Sequence, residues 1–252
     1  MNYDQLIDKL IIELIKQKQI THKKFIEILN NSNFESSMEA VLSRGVPIYV
    51  LDSKIYLKTN NSFKDNELCF IDIETNGSKP SNSDIIEIAA IKYKNGVLID
   101  RFQSYSYAKN IPLDIIKLTN IDYKNIVNAP NKKDVLLAFK NFIKDSTIVA
   151  HNLSFDFNFI NAKLKQINIP VMKNRSICTL KLARKTIKTS KYGLENLNKI
   201  LDINYPLRHR AYPDSLITLN VFHQIINKMH QNLTQNIELN LNSVEDLIEF
   251  IK

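Results

Sequence analysis

Between Leu68 and Gly77 the chain reads LCFIDIETNG, an apolar run interrupted by two acids, Asp72 and Glu74. Apolar residues packed this densely, between a charged stretch and an Asn-Gly turn signal, predict a buried strand. Side chains alternate along a strand, so Asp72 and Glu74 share a face. An ionised carboxylate inside a sheet costs on the order of several kcal/mol unless it is paired or bound to a cation. Two side by side point to a divalent metal held by hard oxygen ligands. A strand end whose acids simply reach solvent explains the fragment as well, so the rest of the chain has to decide.

Two further acids open helices. In HNLSFDFNFINAKLKQI, Asp156 lies between Phe155 and Phe159, close to the apolar side of a helix that starts near Ser154. Asp214 follows Pro213 at the head of a helix over Tyr212 to Met229. Either is ordinary alone, as a first-turn acid that complements the helix dipole. His209, five residues before Asp214 in HRAYPD, reads alone as a surface histidine. The four acids and the histidine acquire meaning as a set.

Around this set the chain divides into three parts. Residues 1–62 form a winged-helix-like module, with helices over Tyr3 to Lys16, Thr21 to Leu29 and Ser36 to Ser43. The hairpin VPIYVLDSKIYLK, turning at Asp52-Ser53, follows them. Such a module binds either a nucleic-acid groove or another protein. The polar stretch Thr59 to Glu67 reads as the linker.

Residues 66–230 give strands first, with a hairpin at Asn95-Gly96, and then alternate short strands with helices. Pro112 begins one helix, Asp134 to Ile143 forms another, and Thr147 to Ala150 is a short strand. Helices over Cys178 to Lys185 and Leu194 to Leu201 precede the long one. That order predicts an α/β layered domain with a mixed sheet flanked by helices. Residues 231–252 are a C-terminal tail ending in the short amphipathic helix SVEDLIEFIK.

Composition narrows the function classes. The length of 252 residues allows one large domain or a medium and a small one, and a formal net charge of +8 favours a polyanionic partner such as nucleic acid. No apolar run approaches the ~20 residues of a membrane span. Met1 to Gln17 interleaves charges with its apolar residues and lacks a signal-peptide core. Cys69 and Cys178 offer neither metal spacing nor a disulfide framework, which fits a cytoplasmic location. Neither GxGxxG nor GxxxxGK[ST] occurs, so dinucleotide and P-loop chemistry lack their phosphate cradles.

Three segments together resemble the DnaQ-like, or DEDDh, 3′→5′ exonucleases of the ribonuclease-H-like fold. FIDIETNG is similar to the family's F-x-D-x-E-T-T-G, HNLSFDFNFI to H-N-x-x-F-D-x-x-F-L, and HRAYPD to H-R-A-x-x-D. LTNI departs from L-T-G-I at Asn120, and CTLKLAR departs from D-T-L-x-L-A-R at Cys178; both departures lie outside the catalytic set. The resemblance covers about Glu67 to Met229. Its nearest branch is the proofreading epsilon subunit of bacterial DNA polymerase III.

The resemblance implies that Asp72, Glu74, Asp156 and Asp214 hold two Mg²⁺ or Mn²⁺ ions, with His209 as the general base. That agrees with the need to neutralise charge on a phosphodiester under attack. The sister group with a tyrosine base has it four residues before the last Asp, a position held here by Arg210. The backbone around Thr75, Asn76 and Gly77, with the ring of Phe155, is implied to hold the terminal nucleotide; His151 and Asn152 match the family as well and read chiefly as hydrogen-bonding the strand-to-helix turn. The implied substrate is the single-stranded 3′ end of DNA, with RNA as the alternative. The implied partner is the alpha subunit of a replicative polymerase. Two rival readings are an RNA-trimming exoribonuclease of the ribonuclease T or oligoribonuclease type, and a non-catalytic polymerase-binding subunit.

Overall fold

The computed structural model describes residues 2–206, 209–233 and 241–252. The chain begins with α1 (Tyr3–Gln17), β1 (Gln19–Thr21), α2 (His22–Leu29), α3 (Phe34–Leu42), β2 (Ile48–Leu51) and β3 (Lys54–Leu57). Each helix starts on a residue whose side chain accepts a first-turn N–H: Asn2, Thr21 and Asn33. The hairpin turns where expected, with Asp52 and Ser53 at φ +48° and +57°, the left-handed pair that a two-residue hairpin turn requires. The strands pair antiparallel in the order β1-β3-β2, over a core that includes Ile7, Leu10, Leu14, Phe25, Leu29, Val41 and Ile55.

The stretch read as a linker is instead packed. Its residues form two short 3₁₀ turns, Lys58–Asn60 and Phe63–Asp65. Thr59 is fully buried and donates to Glu245 at 2.6 Å, and the Phe63 ring stacks on Phe222 at 5.9 Å. Polar composition misleads here because the partner that satisfies Thr59 lies far along the chain.

The second part runs β4 (Leu68–Thr75), β5 (Ile85–Lys94), β6 (Val97–Tyr105), α4 (Leu113–Thr119), α5 (Tyr123–Ile126), α6 (Lys132–Ile143), β7 (Thr147–Ala150) and α7 (Leu153–Gln166). It continues with β8 (Ser176–Cys178), α8 (Thr179–Thr186), α9 (Leu194–Ile200), α10 (Ala211–Leu233) and α11 (Val244–Phe250). Residues 234–240, part of the tail expected over 231–252, lie outside the described residues. The five strands stand in the order β6-β5-β4-β7-β8; β4 is antiparallel to β5 and parallel to β7, and β8 is parallel to β7. This is the expected α/β arrangement, a mixed sheet with helices on both faces. Among the described residues no helix is long and apolar enough to cross a membrane.

The central strand β4 assigns its side chains by parity. Cys69, Ile71 and Ile73 pack with α6 and α7, while Leu68 and Phe70 pack with α8 to α11. Asp72 and Glu74 therefore continue the face covered by α10. Pairing with β7 stops at Phe70, so the later part of β4 has a free edge at the end of the sheet. That free edge opens the site.

Candidate active site

Two acids come from β4 and a third from the first turn of α10. One carboxylate oxygen from each of Asp72, Glu74 and Asp214 lies within 4.8 Å of the other two. Asp156, buried in the first turn of α7, joins them from the free edge: its Oδ1 accepts the backbone N–H of Ile73 at 3.2 Å. The strand-to-helix turn before it is tight, with Asn152 at φ +61°. His151 fixes that turn through contacts of Nδ1 with Thr179 Oγ1 at 3.0 Å and of Nε2 with the Tyr192 carbonyl at 2.9 Å. Burial pushes its pKa down to about 4, so it stays neutral and structural.

Burial holds all four carboxyls above their ordinary range, and repulsion from neighbouring acids adds to it at Asp72, Glu74 and Asp214. Asp72 is held well above the ordinary carboxylate range, by burial first and then by Asp156, Glu74 and Asp214. Burial, then Asp214 and Glu87, push Glu74 up to about 8. Asp156 rises to about 7 through burial, with the N–H of Ile73 opposing. Asp214 rises to about 6, again through burial, against the pull of His209. The Oδ1 of Asp214 is buried and accepts no hydrogen bond among the described residues. Four acids that repel one another, with an orphaned oxygen among them, suit a divalent cation supplying the missing charge. Carboxylate oxygens also favour a hard ion.

The remaining expected residues lie close to these acids along the chain. His209 is exposed, at φ +44°, two residues before α10 begins. Phe155 is 36% exposed, its ring 5.7 Å from that of the buried Phe159. Beyond a bulge at Glu74/Thr75, Thr75 Oγ1 donates to the Gly77 carbonyl at 2.8 Å, and Asn76 Nδ2 donates to the Asn110 carbonyl at 2.8 Å. Gly77 packs closely on Ser83: a Cβ there would come within 2.4 Å of Ser83 Oγ, and that hydroxyl would have to turn away.

The sequence reading missed Glu87, a fully buried carboxylate on β5 opposite Glu74. The signal was present: IIEIAA places one acid in an apolar run, as FIDIET does.

The family model for exonucleases, RNase_T, matches residues 69–222. The PolC-type DNA polymerase III of Caldanaerobacter subterraneus subsp. tengcongensis is 32% identical over 233 residues, covering 87% of this chain and 16% of that protein. This chain thus spans about one-sixth of the polymerase it matches. Exonuclease X, solved in complex with 5′-overhanging duplex DNA, superposes with a TM-score of 0.56 at 25% identity, over 73% of this chain and 99% of that one. The nuclease domain of 3′hExo, a DEDDh family member bound to rAMP, shares the fold with a TM-score of 0.59 at 19% identity, over 67% of this chain and 94% of that one. With its motifs and its acids gathered at the end of β4, the chain belongs to the DnaQ-like, DEDDh-type family of 3′→5′ exonucleases.

Proposed function

We propose that this chain removes nucleotides from the 3′ end of a DNA strand as nucleoside 5′-monophosphates, proofreading for a replicative DNA polymerase in the cytoplasm. The observation that carries the reading is the convergence of Asp72, Glu74, Asp156 and Asp214 beside His209, with a buried Asp214 oxygen that has no partner among the described residues. Similarity to PolC-type polymerases supports DNA over RNA, and a polymerase as the partner.

In this reading the four acids hold two Mg²⁺ or Mn²⁺ ions, which would supply charge stabilisation for the phosphate under attack and for the leaving oxygen. His209, exposed at the rim, accepts a proton on a ring nitrogen from the attacking water as its oxygen bonds to phosphorus. The bond from phosphorus to the 3′ oxygen of the penultimate nucleotide breaks, and that oxygen takes a proton from solvent. Phe155 stacks on the terminal base, which any base permits, and the Thr75–Gly77 backbone receives the terminal 3′ hydroxyl. Residues 1–62 form a winged-helix-like module, residues 66–230 the exonuclease domain, and residues 231–252 the tail.

The test is digestion of 5′-labelled single-stranded DNA, mismatched duplex DNA and RNA with Mg²⁺, Mn²⁺ or EDTA. The expected result is a ladder shortening from the 3′ end, nucleoside 5′-monophosphate product, DNA preferred and no cleavage in EDTA. Preference for RNA would favour the exoribonuclease reading. Tight DNA binding without hydrolysis in any metal would favour a non-catalytic subunit.

A further inference from the structure

Glu87 is a carboxylate with no exposure to water, on β5 directly across from Glu74. A charge this deep needs a dedicated counter-ion and a full set of hydrogen bonds. Arg210 supplies both prongs of its guanidinium, Nε donating to Oε2 at 2.9 Å and Nη2 to Oε1 at 2.7 Å. The backbone N–H of Ala211 adds a bond to Oε2 at 3.1 Å, and Gln103 Nε2 adds one to Oε1 at 2.9 Å. Arg210 Nη2 also donates to the Tyr105 hydroxyl at 2.6 Å, and the guanidinium lies 5.4 Å over the Tyr105 ring. A planar fork with two parallel bonds fixes orientation as well as distance, which a lysine ammonium cannot do.

What the fork orients is the entrance to α10. Arg210 directly follows His209, its carbonyl accepts the N–H of Asp214 at 3.0 Å, and Ala211, the first residue of the helix, is held by the same Glu87. One strand residue thus grips the first two of the four positions between the histidine and the helix acid. We propose that Glu87 and Arg210 form a clamp that sets where His209 and Asp214 stand against Asp72 and Glu74. Arg210 is a positioning residue committed to the sheet, not a grip on substrate phosphate. The inference rests on the exonuclease reading for its kinetic consequence, but not for its effect on metal binding.

The test compares the full chain with Arg210→Lys, Glu87→Gln and the double variant, measuring kcat and KM on single-stranded DNA and Mn²⁺ affinity by calorimetry. Each single variant is expected to lower kcat by about 10²-fold at nearly unchanged KM, the loss expected for catalytic groups displaced by about 1 Å. Mn²⁺ affinity is expected to fall by about 10-fold, as when a residue supporting a ligand is lost. The double variant is expected to lose little more than either single one, because both break the same contact. If Glu87→Gln does not fold, Tyr105→Phe removes one bond from the same guanidinium and should lower kcat and Mn²⁺ affinity in the same direction, by less. The clamp is overturned if Arg210→Lys raises KM alone while Glu87→Gln or Tyr105→Phe has no effect, which would put Arg210 on the substrate. It is equally overturned if all variants keep both kcat and Mn²⁺ affinity. A wild-type chain inactive on every nucleic acid would sink the exonuclease reading, and the Mn²⁺ measurement would still decide the clamp.

Discussion

Asp156 accepts the backbone N–H of Ile73, so an acid from α7 is tied to the strand amide that lies between Asp72 and Glu74. A helix dipole alone would leave a first-turn aspartate facing solvent. This one is buried and aimed at the free edge of β4, and it enters the cluster because β7 stops pairing at Phe70.

The cluster should trade stability for turnover. Asp72→Asn removes one of the mutually repelling carboxylates and is expected to cut hydrolysis by more than about tenfold, with a metal-free thermal midpoint equal to or above wild type. Single-turnover assays and calorimetry in EDTA check both halves. Retention of more than about a tenth of wild-type turnover would remove Asp72 from the chemistry.

The pH dependence of the metal-free protein has a fixed sign. Asp214, Asp156 and Glu74 titrate near 6, 7 and 8, above the roughly 4 of an unfolded carboxyl, so the folded state holds the extra protons. Their contribution to stability is fully present below about pH 4 and is lost as pH rises through about 6 to about 8. In EDTA the thermal midpoint should fall between about pH 5 and pH 8, and Mg²⁺ or Mn²⁺ should flatten that slope by binding the ionised acids. A midpoint that instead rises across this window in EDTA would contradict the raised carboxyls.

His209 stands exposed beside Asp214, where a proton can reach solvent. His209→Asn is expected to lower kcat by roughly 10²–10⁴ with little change in substrate binding, the range for loss of a general base. The acidic limb of the pH–rate profile should flatten with it. Full kcat with the wild-type limb would place the base elsewhere.

Phe155→Ala should act on binding. The ring is partly exposed and lies over Phe159, so truncation should scarcely change the thermal midpoint. Loss of one stacked base predicts KM for a single strand higher by roughly 5- to 150-fold at similar kcat. An unchanged KM with a lower midpoint would mark Phe155 as packing only.

Removing the N-terminal part should cost stability more than chemistry. A chain starting at Ser62 keeps every motif but loses the Thr59 bond to Glu245, a buried bond to a charged group worth about 1.5–3 kcal/mol. It also loses Asp8, which takes both its oxygens to Lys173 Nζ at 2.7 Å. Cleavage of short oligonucleotides should persist, with a thermal midpoint lower by about 5 °C or more. A folded but inactive chain would mean that residues 1–61 complete the site.

Much of this architecture could be read from local signals. The two tight hairpins announced themselves as Asp52-Ser53 and Asn95-Gly96, each now seen with positive φ at both turn residues. The acids of β4 stood out because an apolar strand has no use for them. Strands β1 and β8 escaped notice because three residues are too few to show a period of two. The lone acid of IIEIAA marked Glu87, but the Arg210 that gives it a role lies 123 residues away, and the acceptor of Thr59 lies 186 away. A long-range pair leaves no periodicity in either of its two segments.

The Thr59 contact also carries a clock. Glu245 closes it from α11, where Arg175 grips the same carboxylate in a two-pronged ion pair. On a ribosome adding about 5–20 residues per second, the 186 residues between the partners take roughly ten to forty seconds to appear. For that interval the Thr59 hydroxyl has no native acceptor, although the residues of the helices and hairpin before it are already synthesised. Resistance to proteolysis at this seam should therefore be the last to develop during synthesis, after the strands that carry the acids have paired.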